Sequence, residues 1–319
     1  MDGSGPALVI DIGGTKIAAG LAESAGRLIT WAQTPTPRDV DGEQLWRTFD
    51  ALLTRVLEGG RISGPAELAG VGCGCSGPME WPEGVVSPLN IAAWKSFPLR
   101  AALQERFGGI PVRVHNDAIT MTVGEHWRGA GRGVRNMLGM VVSTGVGGGL
   151  VLDGMLIEGA SGNAGHIGHV VVDPDTGPVC GCGARGCLEA IARGPALASW
   201  AQSQGWRPGR PESTAKELAG DAALGHPVGQ AAMRRAGRAL GIAIASATCL
   251  CDLEVVSIGG GLSQAGALLF GPLEEVRRAH TRLGFAQQVR VVPAALGQSA
   301  GLVGAGALIF AADRYWTSD

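Results

Sequence analysis

The stretch Ala7-Leu-Val-Ile-Asp-Ile-Gly-Gly-Thr-Lys-Ile-Ala-Ala-Gly-Leu21 decides the fold of this 319-residue chain. Ala7 to Ile12 reads as a strand, Gly13 and Gly14 as a tight turn, and Lys16 to Leu21 as a return strand, which together make a hairpin. The turn gathers backbone N–H groups, the Thr15 hydroxyl and the Lys16 ammonium. It leaves Asp11 at the strand end, where a carboxylate can hold Mg2+ through water. The pattern recurs about half a chain later. Leu138 to Ser143 is again apolar and β-rich, Gly145 to Gly149 is a Gly-rich turn, and Leu150 to Leu152 is the return. Ser143-Thr144-Gly145-Val146-Gly147-Gly148 therefore predicts a second phosphate cradle, and the two hairpins predict two related domains that face each other and clamp a triphosphate. Gly259, Gly260 and Gly261 follow an apolar strand, Val255 to Ile258, where a nucleotide base can lie flat.

Between and after the hairpins the chain alternates β and α patterns. Asp41-Gly-Glu-Gln44 resembles a capping box, and Leu45, Trp46, Phe49, Leu52, Leu53, Val56 and Leu57 repeat at helical spacing until Gly59 and Gly60. That stripe reads as core packing. Ala69 to Cys73 predicts a strand, Leu99 to Phe107 a helix, Val112 to His115 a strand, Ala118 to Arg128 a helix, and Val228 to about Leu250 a long helix. No linker separates the halves. We expect an α/β architecture with a first domain over residues 1–117, completed by a C-terminal helix at about 299–319, and a second domain over 118–298.

Composition narrows the function. Hydrophobic content of 45% is ample for two cores, and a net charge of −2 provides no electrostatic footprint for a nucleic-acid partner. The N-terminal run has neither the basic segment nor the apolar stretch of a signal peptide, and Leu240 to Leu253 is too short to span a bilayer. A cytoplasmic protein without membrane partners, acting on a small molecule, is expected.

Cys180, Cys182 and Cys187 lie in the run CGCGARGCLE, interleaved with Gly181, Gly183 and Gly186. Three thiolates from such a turn can surround one ion, with His169 as the fourth ligand, in a closed tetrahedral Cys3His zinc site of structural type. Reduced core cysteines are the alternative reading. A C-x-C pair bridges badly as a disulfide, and Cys73, Cys75, Cys249 and Cys251 lie in apolar stretches without a secreted framework.

Two other nucleotide motifs fail. G-x-x-x-x-G-K-[ST] is absent from the sequence. G-x-G-x-x-G occurs at Gly72, Gly74 and Gly77, where Pro78 and Pro82 oppose the required helix, and at Gly181, Gly183 and Gly186, inside the cysteine cluster. Asn116-Asp117 follows a strand where a helix begins. Asp117 there is either an N-cap or a general base at the carboxyl end of a strand. Asn90 and Glu189 could add acceptors and donors for the hydroxyls of a sugar.

DIGGTK, the Asn-Asp pair, STGVGGG, GHIGH, CGCGARGCLE and IGGG, in this order over nearly the whole chain, resemble the ROK sugar kinases. The resemblance implies a two-domain actin-like, ribonuclease H-like ATPase fold, ATP and Mg2+ in the cleft, a structural Zn2+, a homodimer, and phosphorylation of a hexose at its 6-hydroxyl. It implies Asp117 as the base, with Gly77, Asn90, Asn116, Asp117, His166, His169 and Glu189 at the sugar. It implies Asp11, Gly13, Gly14, Thr15, Lys16, Thr144, Gly145, Gly147, Gly259, Gly260 and Gly261 at the nucleotide. His169 would serve twice, one ring nitrogen on the metal and one towards the sugar. ROK repressors carry an N-terminal helix-turn-helix, for which the ten residues before Asp11 leave no room. One position departs from the pattern. His166-Ile-Gly-His169 stands where most hexokinase-type members have Glu-x-Gly-His, and the bacterial N-acetylmannosamine kinases look similar here, which favours an amino or N-acyl hexosamine over glucose. A glucokinase and a non-catalytic sugar sensor are the alternatives.

Overall fold

The computed structural model describes residues 5–209 and 214–316. They form two compact units, one of residues up to Gly133, Gly149–Ala164 and from Ala295 on, the other of Val134–Gly148 and Gly165–Ala294. In the first, β1 (Ala7–Ile12), β2 (Lys16–Ala22) and β3 (Leu28–Pro35) make an antiparallel meander, followed by α1 (Gly42–Gly59). Then β4 (Gly70–Cys75) returns parallel to β1. Three short strands, β5 (Met79–Glu80), β6 (Val85–Val86) and β7 (Phe97–Pro98), form a small sheet of their own, and α2 (Leu99–Arg106) leads into β8 (Val112–Asn116) and α3 (Asp117–Arg128). The large sheet has the order β3-β2-β1-β4-β8. Because β1, β4 and β8 are parallel, Ile12, Cys75 and Asn116 end up on adjacent strands at the same level. That carboxyl edge is where open α/β sheets hold ligands.

The period of two along β1 sends its side chains to two different cores. Leu8, Ile10 and Ile12 pack with Leu45, Phe49, Leu52, Leu53 and Val56 of α1, while Ala7 and Val9 face the opposite layer. The helix begins where Asp41 caps it, its Oδ1 accepting from the Gln44 N–H at 2.8 Å.

In the second unit, β9 (Met137–Val142) turns through Ser143, Thr144 and Gly145 into β10 (Val146–Leu152), and β11 (Met155–Ile157) follows. The sequence predicts a longer turn over 145–149, but Gly147 and Gly148 lie inside the strand. A side chain is excluded there by close backbone approach, since a β-carbon on Gly148 would sit 2.7 Å from the Gly139 carbonyl oxygen. Helices α4 (Leu188–Ala192), α5 (Gly194–Ser203), α6 (Ala215–Ala223) and α7 (Pro227–Cys251) precede β12 (Val255–Gly259). Then come α8 (Ala267–His280), α9 (Gly284–Gln287) and β13 (Arg290–Pro293). The second sheet has the order β11-β10-β9-β12-β13, with β9, β12 and β13 parallel.

The chain closes with α10 (Ala300–Phe310) and α11 (Ala312–Tyr315), two helices where the sequence predicts one over Ser299 to Arg314. Helix α10 packs on α3, β4 and β1. The approach is backbone to backbone: a β-carbon on Gly304 would lie 1.7 Å from the Thr120 carbonyl oxygen, and one on Gly72 would lie 1.9 Å from that of Ala305. Gly72, first glycine of the spurious dinucleotide motif, is thus a packing residue. Ile119, Val123 and Trp127 of α3 share a core with Val303, Ala307 and Leu308. Helix α3 therefore belongs with the first unit, whereas the sequence reading divides the chain at its start. The fully buried Glu125 fixes the entry to α10, its carboxylate accepting from the N–H groups of Ala130 (2.8 Å), Ala295 (3.0 Å) and Leu296 (2.7 Å). No helix among the described residues is long and apolar enough to cross a membrane.

Candidate active site

In the first unit the carboxyl edge of β1, β4 and β8 gathers the polar residues. Asp11 is the penultimate residue of β1, and Asp117 is the first residue of α3, directly after β8. The cap of α3 is Asn116, whose Oδ1 accepts from the Ala118 N–H at 3.0 Å. Asp117 also accepts from that N–H, at 2.8 Å, but sits one residue further in. Burial raises the Asp117 carboxyl from 3.8 to about 6, helped by the charge on Asp11. Burial also raises Asp11 to about 6, and the Lys16 ammonium partly opposes this. Two neighbouring carboxyls held near 6 form a proton-handling and cation-binding pair.

The hairpin turn is tied down around them. The Gly13 N–H donates to the Lys16 carbonyl at 3.0 Å, Thr36 Oγ1 donates to the Gly13 carbonyl at 2.6 Å, and Lys16 Nζ reaches Gln298 Oε1 at 3.0 Å. Thr15 is exposed at the tip. A β-carbon on Gly14 would lie 2.4 Å from Asn90 Cβ, and one on Gly77 would lie 3.1 Å from Asn116 Nδ2. Gly14 thus abuts the loop that carries Asn90, and Gly77 abuts the residue before Asp117. The first turn of α10 reaches Asp11 as well, the β-carbon position of Gly301 being 2.6 Å from Asp11 Oδ2.

In the second unit the Ser143-Thr144-Gly145 turn opens onto a cavity of about 470 Å3. Its walls combine that turn with Gly194, Ser199 and Gln202 of α5, Thr214 and Lys216 at the start of α6, and Gly261. The volume lies in the range of small-molecule sites. Gly260, beside it, has a φ of 88° and lies so close to the Val142 backbone that a β-carbon would be 2.4 Å from the Val142 carbonyl oxygen. Only glycine fits both conditions. Gly259 ends β12.

His169, Cys180, Cys182 and Cys187 bring one ligand atom each to within 4.8 Å of one another. Cys180 Sγ lies 3.8 Å from His169 Nδ1, and Cys182 Sγ lies 3.7 Å from Cys187 Sγ. A tetrahedron with zinc–sulfur bonds of about 2.3 Å has edges of about 3.8 Å, so the donor set fits zinc, and the sulfur separation excludes a disulfide. With Nδ1 turned to the sulfurs, His169 keeps Nε2 for another partner. The exposed His166 ring lies 6.3 Å from that of His169 at 14° between planes. The Glu189 Oε2 accepts from the Val146 N–H at 2.9 Å, behind the phosphate turn.

A family model matches residues 7–312, and that family is ROK. This chain belongs to the ROK family. It is 34% identical over 313 residues to a glucokinase of Thermotoga maritima, covering 94% of this chain and 96% of the relative. It is 33% identical over 317 residues to an N-acetylmannosamine kinase of Yersinia pseudotuberculosis, covering 94% and 97%. Among solved structures it resembles a ROK family glucokinase from Streptomyces griseus in complex with glucose and AMPPNP, at a TM-score of 0.80 and 32% identity over 95% of this chain and 99% of that one. The fold is thus the α/β fold of the ROK sugar kinases, with mixed sheets.

Within this ROK protein, the sequence reading names the hairpin turns, the Asn-Asp pair and the cysteine cluster. It misses Ser199, Gln202, Thr214 and Lys216, which line the cavity from helices α5 and α6. Nothing local marks them, because each sits in an ordinary helical or capping context. The discoverable signal is their position just after the glycine at 194, whose N–H donates to the Ser143 carbonyl at 2.8 Å.

Proposed function

We propose that this chain is an ATP-dependent sugar kinase that moves the terminal phosphoryl group of ATP to the 6-hydroxyl of a hexose. We favour an amino or N-acyl hexosamine of the N-acetylmannosamine type. One observation carries the reading: Asp117 stands at the head of α3, on the carboxyl edge of three parallel strands, with its carboxyl raised to about 6. Such a group is ionised at neutral pH yet basic enough to accept the proton of an attacking hydroxyl, a role that contributes about 10²- to 10⁴-fold.

The amides of Asn90 and Asn116 would bind and orient the sugar, with His166, His169 and Glu189 as the further contacts that the family pattern implies. The N–H groups of the Gly13-Gly14 turn and the Lys16 ammonium would orient the phosphates. Asp11 would hold Mg2+ through water, and that ion supplies neutralisation of charge on the phosphoryl oxygens. The cavity beside Ser143 and Thr144 is suited to a nucleoside, with Gly259, Gly260 and Gly261 at its edge. Two units with one hairpin motif each support an actin-like, ribonuclease H-like ATPase fold. The Cys3His donor set supports a structural zinc, closed to water and therefore outside the chemistry. A homodimer goes with this reading.

His166 supports the hexosamine: an imidazole there leaves out the carboxylate that hexokinase-type members direct at the sugar. The similarity to glucokinases supports glucose as the second reading. A panel of ADP-release rates with N-acetylmannosamine, N-acetylglucosamine, glucosamine, mannose and glucose tests both. The expected result is at least tenfold higher kcat/KM for one amino or N-acyl sugar than for glucose. The reverse order establishes a glucokinase, and no sugar-dependent release from any of them removes the kinase reading.

A further inference from the structure

We propose that Glu189 is a positioning residue for the phosphate-binding turn Ser143–Val146, and that through it the metal-binding knuckle sets the shape of that turn. The proposal rests on the kinase reading above. The knuckle and the turn are joined at three points, each close in sequence to a metal ligand. Gly168, next to His169, packs on the turn so tightly that a β-carbon there would lie 2.0 Å from the Val146 carbonyl oxygen. Glu189, two residues after Cys187, accepts the Val146 N–H at 2.9 Å, and its Oε2 lies 3.0 Å from the β-carbon position of Gly145. The N–H of Gly194, at the start of α5, donates to the Ser143 carbonyl at 2.8 Å.

The ligand-bearing segments are themselves laced together. Cys187 is the N-cap of α4, Val171 and Cys187 form an antiparallel bridge, and the Leu188 N–H donates to the Val170 carbonyl at 2.9 Å. A cation held by His169, Cys180, Cys182 and Cys187 would fix where α4 begins and therefore where the Glu189 carboxylate stands. That carboxylate occupies the N–H which opens β10, so the three preceding residues close the turn in one conformation. A half-buried carboxylate committed to a backbone N–H holds more firmly than a neutral acceptor would. Its negative charge beside a phosphate site brings no attraction to a nucleotide, so its role is to hold the turn.

Nucleotide and sugar affinities of the zinc-loaded protein, measured calorimetrically with AMPPNP and with the best sugar of the panel, separate this role from a sugar contact. Glu189→Leu removes the acceptor and should weaken AMPPNP about tenfold or more, with sugar affinity changed less than threefold. Glu189→Gln keeps an acceptor oxygen for Val146 and should bind AMPPNP within threefold of the wild type or tighter. Sugar affinity lost in Glu189→Leu with AMPPNP affinity intact overturns the proposal. Should the leucine variant not fold, amide hydrogen exchange of residues 143–148 in the wild-type protein decides. Removing the metal with a chelator should speed exchange there at least tenfold, and unchanged exchange overturns the proposal. A wild-type protein that binds no AMPPNP overturns the kinase reading and this proposal together. A wild type that binds it, with both variants unchanged, overturns this proposal alone.

Discussion

Asp117 carries a carboxyl that burial raises from 3.8 to about 6, and this one residue links catalysis to stability. As the base it must be ionised, so kcat/KM should rise with pH through about 6 and level off above 7, without a rising limb near 4. The stability effect has the opposite sign. A carboxyl whose folded-state pKa is raised binds its proton more tightly in the native state, and the associated stability is fully present below pH 3.8 and lost as pH rises through about 6. Ionised Asp117 therefore costs the fold up to ~3 kcal/mol at neutral pH. Asp117→Asn, which mimics the protonated form, should raise the melting temperature at pH 7.5 by several degrees, and the gain should vanish by pH 4. A lower melting temperature at pH 7.5 would contradict this. Sequence reading locates Asp117 at a strand-to-helix boundary but leaves cap and base open, because Asn116 and Asp117 are both good caps and only the backbone geometry shows that Asn116 takes the role. For Glu189 the sequence offers a sugar contact alone. Its bond to Val146 spans 43 residues and leaves no local trace.

At the scale of elements, the zinc-binding knuckle makes the clearest prediction. Cys182 is exposed, unlike the buried Cys180 and Cys187, so its loss removes a ligand without opening a core. Cys182→Ser should lower bound zinc per chain by at least half, measured on the purified protein, and should lower the melting temperature. A stable variant with full zinc content would remove Cys182 from the ligand set. Most of the regular elements were legible because periodicity carried them: β1, β2, α1, α3 and α7 end within about two residues of their predicted bounds. Elements without a period were not. Strands β5, β6 and β7 have two residues each, too few to alternate. Gly147 and Gly148 read as turn by composition, yet they lie in β10, where backbone proximity excludes a side chain. The single helix expected at the C-terminus breaks at Ala311, where φ falls to −133° in an apolar sequence with no breaker.

For the whole molecule, six motifs in order sufficed to indicate the ROK family, and the match over residues 7–312 establishes it. The sugar was not legible, since a hexose and a hexosamine differ at one or two positions of the ring and a single residue, His166, carries the distinction in this chain. The cavity-lining residues of α5 and α6 were not legible either, because folding alone brings them beside the Ser143 turn. What unites the parts is transfer of a phosphoryl group to a sugar hydroxyl deprotonated by one carboxylate. Sugar-dependent ADP release by the wild type and by Asp117→Asn, at saturating ATP and the preferred sugar, tests this most directly. The account predicts that the variant binds the sugar within threefold of the wild type while kcat falls by about 10²- to 10⁴-fold. A variant with kcat within threefold of the wild type would contradict it.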